Sequence, residues 1–170
     1  MKAIHVSSDL APANLLAHIV KNAANNSINF DESDLPKIVL NHNLPMHIVV
    51  GCRNKTVPMV LIDDGSSVNV LPLSTARELG IQDSELASCS FRIKAYDGSK
   101  RPTKGTISLN VKTGPIEKRV EFQVLDIAAS YNILLGRPWI HETKAVSSTL
   151  HQKIKLPFNG QTITINASHF

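Results

Sequence analysis

The run Val60-Leu61-Ile62-Asp63-Asp64-Gly65-Ser66-Ser67-Val68-Asn69-Val70-Leu71 has the greatest chemical potential in the chain. An apolar strand runs straight into Asp-x-Gly-Ser and emerges as a second apolar strand. That order sets a carboxylate at the tip of a buried strand, where Gly65 lets the backbone turn sharply and brings its amide close to the acid. Ser66 adds a small hydroxyl beside it. An acid held this way can pass a proton to or from a water or a carbonyl. The same residues also suit a plain turn between two strands, because Asp and Gly are common turn formers. On this stretch alone both readings stand.

Further along, Tyr131-Asn132-Ile133-Leu134-Leu135-Gly136-Arg137-Pro138-Trp139-Ile140 reads as a buried strand that ends in glycine and feeds a second short helix near Arg137-Pro138. Between the two stretches, Ala95-Tyr96-Asp97-Gly98-Ser99 has the composition of a hairpin tip. Other chemistries lack their residues. There is no Cys-x-x-Cys, no His-Glu-x-x-His and no glycine-rich phosphate loop, and the seven histidines are dispersed, so no metal site and no cofactor is expected. Cys52 and Cys89 read as small buried thiols. Trp139 reads as core or interface packing, and His42 and His141 have no chemical role.

These groups need a framework, and the punctuation of the chain supplies an all-β one. Short apolar runs separated by turn residues predict strands at Met46–Cys52, Val57–Ile62, Val68–Leu71, Cys89–Tyr96, Thr106–Val111, Val120–Leu125, Asn132–Leu135, Lys153–Leu156 and Thr162–Asn166. Asp97-Gly98 and Asn159-Gly160 are predicted hairpin turns. One internal helix is predicted over Thr75–Leu79, with Thr75 and Glu78 at capping-box spacing and Gly80 as its left-handed stop. Ahead of all this, Pro12 with Leu15, Leu16, Ile19 and Val20 predicts an N-terminal helix, and Ile28–Pro36 a linker. The expected division is residues 1–35 as helix and linker and 36–170 as the main domain.

The 170 residues suit one domain, with hydrophobic residues at 42% and charged residues at 19%, enough apolar sequence to form a core. Eighteen Lys and Arg against fourteen Asp and Glu give a net charge of +4 and a pI near 9.2. The basic residues are scattered as pairs such as Lys100/Arg101 and Lys118/Arg119, without interleaved aromatics, so nucleic-acid binding is not expected. No apolar run reaches the ~18 residues of a membrane span and no secretory pattern opens the chain, so the expected location is the cytoplasm, without membrane association.

In order, apolar-Asp-x-Gly-Ser, a glycine-tipped hairpin and Ile-Leu-Leu-Gly resemble the retropepsin-like aspartic proteases. The chain is more closely similar to the protease segment of plant gypsy-type LTR retrotransposon polyproteins, on the strings LPKIVLNHNLPMHIVVGC, VLIDDGSSVNVLPLSTARELG, IKAYDGSKRPTKGTISL and SYNILLGRPWIHETKAVSSTLHQKIKLPF. The resemblance runs from about Phe30 to Ile165. It implies a mainly β, closed retropepsin-like barrel with one or two short helices, in which Asp63 is the catalytic acid. Gly65, Ser66, Tyr96, Asp97, Gly98, Ile133 and Leu134 would bind substrate, with Tyr96, Asp97 and Gly98 forming a flap. Asp63 is preferred to Asp64 because the family places its acid first in Asp-x-Gly.

Two carboxylates must share one proton in this chemistry, and one chain offers one such Asp. The resemblance therefore implies a homodimer acting on a polyprotein or peptide substrate, with cytoplasmic virus-like particles as a further setting and the last strands extending the dimer sheet or covering an edge. One departure is Asp64, where most of the family carries Thr or Ser with a hydroxyl that bonds across the dimer axis. Two more carboxylates there would repel when ionised. The alternative is thus a catalytically silent module of the same fold serving dimerisation or binding.

Overall fold

Period-two burial shapes His47–Cys52, while the short strands Val70–Pro72 and Ile133–Leu135 are buried throughout. The computed structural model describes residues 19–22, 27–37, 43–88, 92–94 and 100–169. Its strands are Ile19–Asn22 (β1), His47–Cys52 (β2), Lys55–Ile62 (β3), Val70–Pro72 (β4), Arg92–Lys94 (β5), Lys100–Pro102 (β6), Gly105–Thr113 (β7), Ile116–Leu125 (β8), Ile133–Leu135 (β9), Val146–Ser148 (β10), Lys153–Phe158 (β11) and Gln161–Asn166 (β12). Two helices, Leu73–Glu78 (α1) and Arg137–Thr143 (α2), interrupt them. Along β2 the residues Ile48, Val50 and Cys52 are buried while those between are half exposed, the pattern of a strand with one face on a core. No helix among the described residues is long and apolar enough to cross a membrane.

Six strands close a barrel in the order β2-β3-β9-β4-β8-β7. The long β7–β8 hairpin runs from Gly105 opposite Val124 to Thr113 opposite Ile116. β9 enters parallel to β3, with Leu61 opposite Leu134, and meets β4 antiparallel at Val70 and Leu134. Closure buries Ile48, Val57, Val60, Leu71, Phe122, Ile133, Leu135 and Trp139 in one core. β3 carries a defect that the barrel corrects: register shifts between Ile48 and Val50, and Met59 has φ +53. Asn132, itself buried, donates its side-chain amide to Pro58 O at 2.8 Å and its backbone amide to Met59 O at 3.0 Å. The bulge therefore leaves these two carbonyls satisfied.

Outside the barrel, β1-β12-β11-β10 form a second sheet and β5-β6 a short antiparallel pair. β1 is a correction to the N-terminal helix predicted through Ile19 and Val20: Ile19 pairs with Ile165 and Asn22 with Thr162. β-branched residues serve a ladder well when a partner strand is present, and that partner lies at the far end of the chain. Pro12, Leu15 and Leu16 lie outside the described residues. β6 and β10 were not foreseen either. α1 starts at Leu73, earlier than predicted, after Pro72 with no side-chain cap. Thr75 lies within the helix, so the capping box does not form, whereas Gly80 at φ +74 ends the turn as expected. Asn159 and Gly160, at φ +48 and +72, make the predicted tight turn. Cys52 is buried and its thiol is pushed up to about 11 by that burial. Cys89 and His42 lie outside the described residues.

The expected linker is instead a strap laid over β11. Lys155, 5% exposed, reaches Asp34 Oδ2 and Asn29 O at 2.6 Å each and sits 4.8 Å from the centroid of the Phe30 ring. Phe30 in turn lies 5.1 Å from the His151 ring, and Lys153 donates to Asp34 O. Burial pushes the Asp34 carboxyl up, but the Lys155 hydrogen bond, the Asp31 amide and the charges of Lys155 and Lys153 outweigh it and hold the group below its ordinary value. Replacing Lys155 with Met should therefore lower unfolding free energy by about 2 kcal/mol, less than the ~3–5 of a deeply enclosed pair because Asp34 lies near the surface. The double variant Asp34→Leu/Lys155→Met should regain most of that loss. Because the folded carboxyl is depressed, its contribution is complete above the unfolded value near 3.8 and fades as pH falls through the folded one. Urea unfolding of parent and Lys155→Met should converge in acid.

Candidate active site

At the end of β3 the chain leaves the ladder without losing its hydrogen bonds. Ile62 N donates to Met46 O at 2.9 Å and Asp63 N to Leu135 O at 3.0 Å, so the acid begins where β3 is still pinned to β9. Gly65 N then donates to Asp63 Oδ1 at 2.9 Å. This is the close amide approach the Asp-x-Gly order predicts, and a Cβ on Gly65 would lie 3.1 Å from that oxygen. Asp63 is half buried and Asp64 exposed. Ser66 differs from expectation. Its hydroxyl donates to Val68 O at 2.8 Å and tightens the loop instead of standing free beside the carboxylate.

The loop rests on the start of α2, through residues that sequence reasoning missed. Arg137 N donates to Ser66 O at 2.9 Å, and the Arg137 guanidinium reaches Asp64 O at 3.3 Å and Gly65 O at 3.4 Å. Asn69, 4% exposed, ties three elements together: its side chain accepts from Gly136 N at 2.8 Å and donates to Glu121 O at 3.1 Å, while its carbonyl accepts from Gln123 N. A polar residue inside the apolar run Val68-Asn69-Val70 was the available signal, since a buried amide needs partners. Gly136 is required for a different reason. A Cβ there would stand 2.3 Å from Val68 O and 2.8 Å from Ser66 O.

β9 divides two of the proposed substrate residues. Leu134 belongs to a small apolar cluster with Val70 and Leu125, against which Leu61, Val68, Ile127 and Tyr131 pack. Ile133 points the other way and is fully buried in the barrel core, where it supports the strand from behind. Successive residues of a strand face opposite sides. Tyr131, also missed, stands near the acid: burial first, then the charge of Asp63, pushes its phenol above the ordinary value. Tyr96, Asp97 and Gly98 lie outside the described residues, while the strands on either side pair antiparallel with Lys94 opposite Lys100. Trp139 is 1% exposed and belongs to the core.

No protein-family model matches the chain, and no curated protein matches it. Solved structures do. The retroviral protease-like domain of Ddi1 from Leishmania major superposes with a TM-score of 0.57 at 11% identity, over 74% of this chain and 95% of that one. EIAV protease, in complex with the inhibitor HBY-793, gives a TM-score of 0.52 at 18% identity, over 65% and 99%. The chain has the retropepsin-like fold: a closed, mainly β barrel with two short helices, as the resemblance implied.

The two glycines of the loop should respond differently to a methyl group. Gly136→Ala drives a Cβ into backbone carbonyls that cannot rotate away and should cost about 3 kcal/mol or more. Gly65→Ala meets only the end of the Asp63 side chain and should cost about 1 kcal/mol or less. Thermal unfolding of the two variants side by side checks the order.

Proposed function

We propose that this chain is an aspartic endopeptidase of the retropepsin type, with an active site completed by Asp63 from two copies. The observation that carries the reading is the Asp63 carboxylate at the tip of β3, held by the Gly65 amide at 2.9 Å on a loop braced by Gly136 and Arg137. The fold supports it. A two-fold dimer would set the two acids side by side, sharing one proton because neighbouring carboxylates resist double ionisation.

In the reaction the unprotonated carboxylate takes a proton from a water, whose oxygen attacks the scissile carbonyl carbon. The protonated partner gives its proton to the carbonyl oxygen, forming a neutral diol. On collapse the protonated carboxyl gives its proton to the amide nitrogen while the other carboxylate takes one from a diol hydroxyl, and the C–N bond breaks to leave an acid, an amine and the dyad with its single proton. The apolar cluster around Leu134 would receive an apolar side chain of an extended peptide, and Tyr96, Asp97 and Gly98 would close over it as a flap. The strings shared with plant gypsy-type elements favour a retrotransposon polyprotein as the substrate and the cytoplasm, including virus-like particles, as the setting.

Asp64 favours a second reading, a silent module of the same fold that dimerises or binds a partner. It is exposed beside the acid, and two such carboxylates at a dimer axis repel when ionised. Asp63→Asn should reduce cleavage of a peptide library by at least about 100-fold at pH 4–6. Equal cleavage by parent and variant would remove the proteolytic reading, and a parent that dimerises without cleaving any peptide would favour the silent one. Replacing Asp64 with Thr should strengthen self-association near neutral pH and change it little in acid, as read by sedimentation across pH 4–8. The sign follows from repulsion that exists only when both Asp64 groups are ionised.

A further inference from the structure

The barrel closes between β2 and β7 through a short contact. Two residue pairs make it, Gly51 with Lys112 and Cys52 with Val111, before the β2–β3 hairpin turns away at Arg53 and Asn54. Further back along the same edge of β7, Thr106 exchanges both backbone bonds with Ala87, at 2.8 and 2.9 Å. The β7–β8 register runs unbroken between these points, so the alternation of the ladder carries through: Ser108 and Asn110, like Thr106 and Lys112, direct their N–H and C=O away from β8. Among the described residues, neither Ser108 nor Asn110 has a backbone partner on that side. A groove of about 940 Å³ lies along this edge, with room for main chain as well as side chains. Asp63 is not among its walls.

An open stretch of strand edge is a template for one more short strand, whose main-chain bonds supply affinity and whose alternate side chains supply preference. Both neighbours on this edge, β2 and Ala87, pair antiparallel with β7, so an added segment of about three residues would do the same. Its first residue would lie opposite Asn110, its second opposite Leu109 and its third opposite Ser108. Residues directly opposite share a face. On the face of Asn110, Arg119 lies across on β8 and Lys112 two residues along, whereas Ser108 has Glu121 across from it. Leu109 is buried on the other face, with half-buried Ile107. These surroundings favour an acid at the first residue, an apolar side chain at the second and an uncharged one at the third. The charge of the groove agrees. Arg53 is taken up by Glu85 at 2.9 Å, which leaves Lys55, Lys112 and Arg119 against Glu117, the residue opposite Lys112. The geometry points to this edge of β7 as a docking site for an extended segment of a partner protein with the pattern acidic-apolar-uncharged, separate from the Asp63 loop and independent of whether that loop cleaves peptides.

The amide signals of Ser108 and Asn110 in the ¹⁵N-labelled full chain report this edge directly, and both should exchange rapidly with solvent in the free chain. Acetyl-Ser-Glu-Val-Thr-Ser-methylamide should shift them saturably and slow their exchange, with the same peptide carrying Lys in place of Glu about tenfold weaker or worse. Ser108→Pro removes one outward N–H that the β8 ladder does not use, and it should abolish binding. Should that variant fail to fold, the double variant Lys112→Gln/Arg119→Gln should erase most of the preference for Glu over Lys while the remainder of the spectrum stays that of the folded parent. Peptides that leave both amides unmoved, or that bind equally with Glu and with Lys, overturn the assignment. Protection that grows with protein concentration in the absence of peptide also overturns it, giving the edge to a second copy of this chain. Shifts confined to Asp63–Ser66 overturn it too, since they place the peptide at the proposed cleavage site instead.

Discussion

The contact on which the site depends is the close approach of Gly136 to the carbonyls of Ser66 and Val68. It allows the end of β9 to lie directly against the loop that carries Asp63. From there Asn69 receives the Gly136 amide, Arg137 holds the loop carbonyls and Asp63 N bonds to Leu135 O. Each of these bonds satisfies a backbone group that leaving the ladder would otherwise strand. Without them the acid would sit on a loop free to turn, and a carboxylate must be held close to its working geometry to move protons efficiently.

The barrel makes this contact possible by bringing distant strands together. β9 lies between β3 and β4 although it follows both by a long stretch of chain, and β4 reaches β8 on its other side. The loop that carries Asp63 therefore starts and ends on strands that both pair with the distant β9. The opposite faces of β9 have different tasks, Ile133 and Leu135 filling the core while Leu134 joins the apolar cluster near Tyr131. The second sheet meets the barrel where Ser168 N donates to His47 O, and the strap links residues 27–37 to β11 by the Lys155–Asp34 ion pair and the Lys155–Phe30 cation–π contact.

Much of the site could be read from order and spacing. An apolar strand entering Asp-x-Gly-Ser located Asp63 and anticipated the Gly65 amide, since small turns beside an acid have few other solutions. β2, β3, β7, β8, β9, β11 and β12 were legible because their apolar residues alternate or run between turn formers. β1, β6 and β10 were not, being short strands whose existence depends on pairing. The failure at Ile19 and Val20 is instructive: two β-branched residues at the end of a helical pattern carry little information until a partner strand is present, and here it lies at β12.

The sequence by itself determined the chemistry on offer, one Asp-x-Gly-Ser that sets an acid at the tip of a strand, together with the β-rich character of the chain. Only the tertiary structure decided which side chains surround that acid. It turned the Ser66 hydroxyl onto Val68 O, sent Ile133 into the core, and brought Asn69, Arg137 and Tyr131 to the loop. The reason is that a motif specifies local backbone geometry, while the direction of a side chain is set by the strands that close around it. Those strands come from sequence far away.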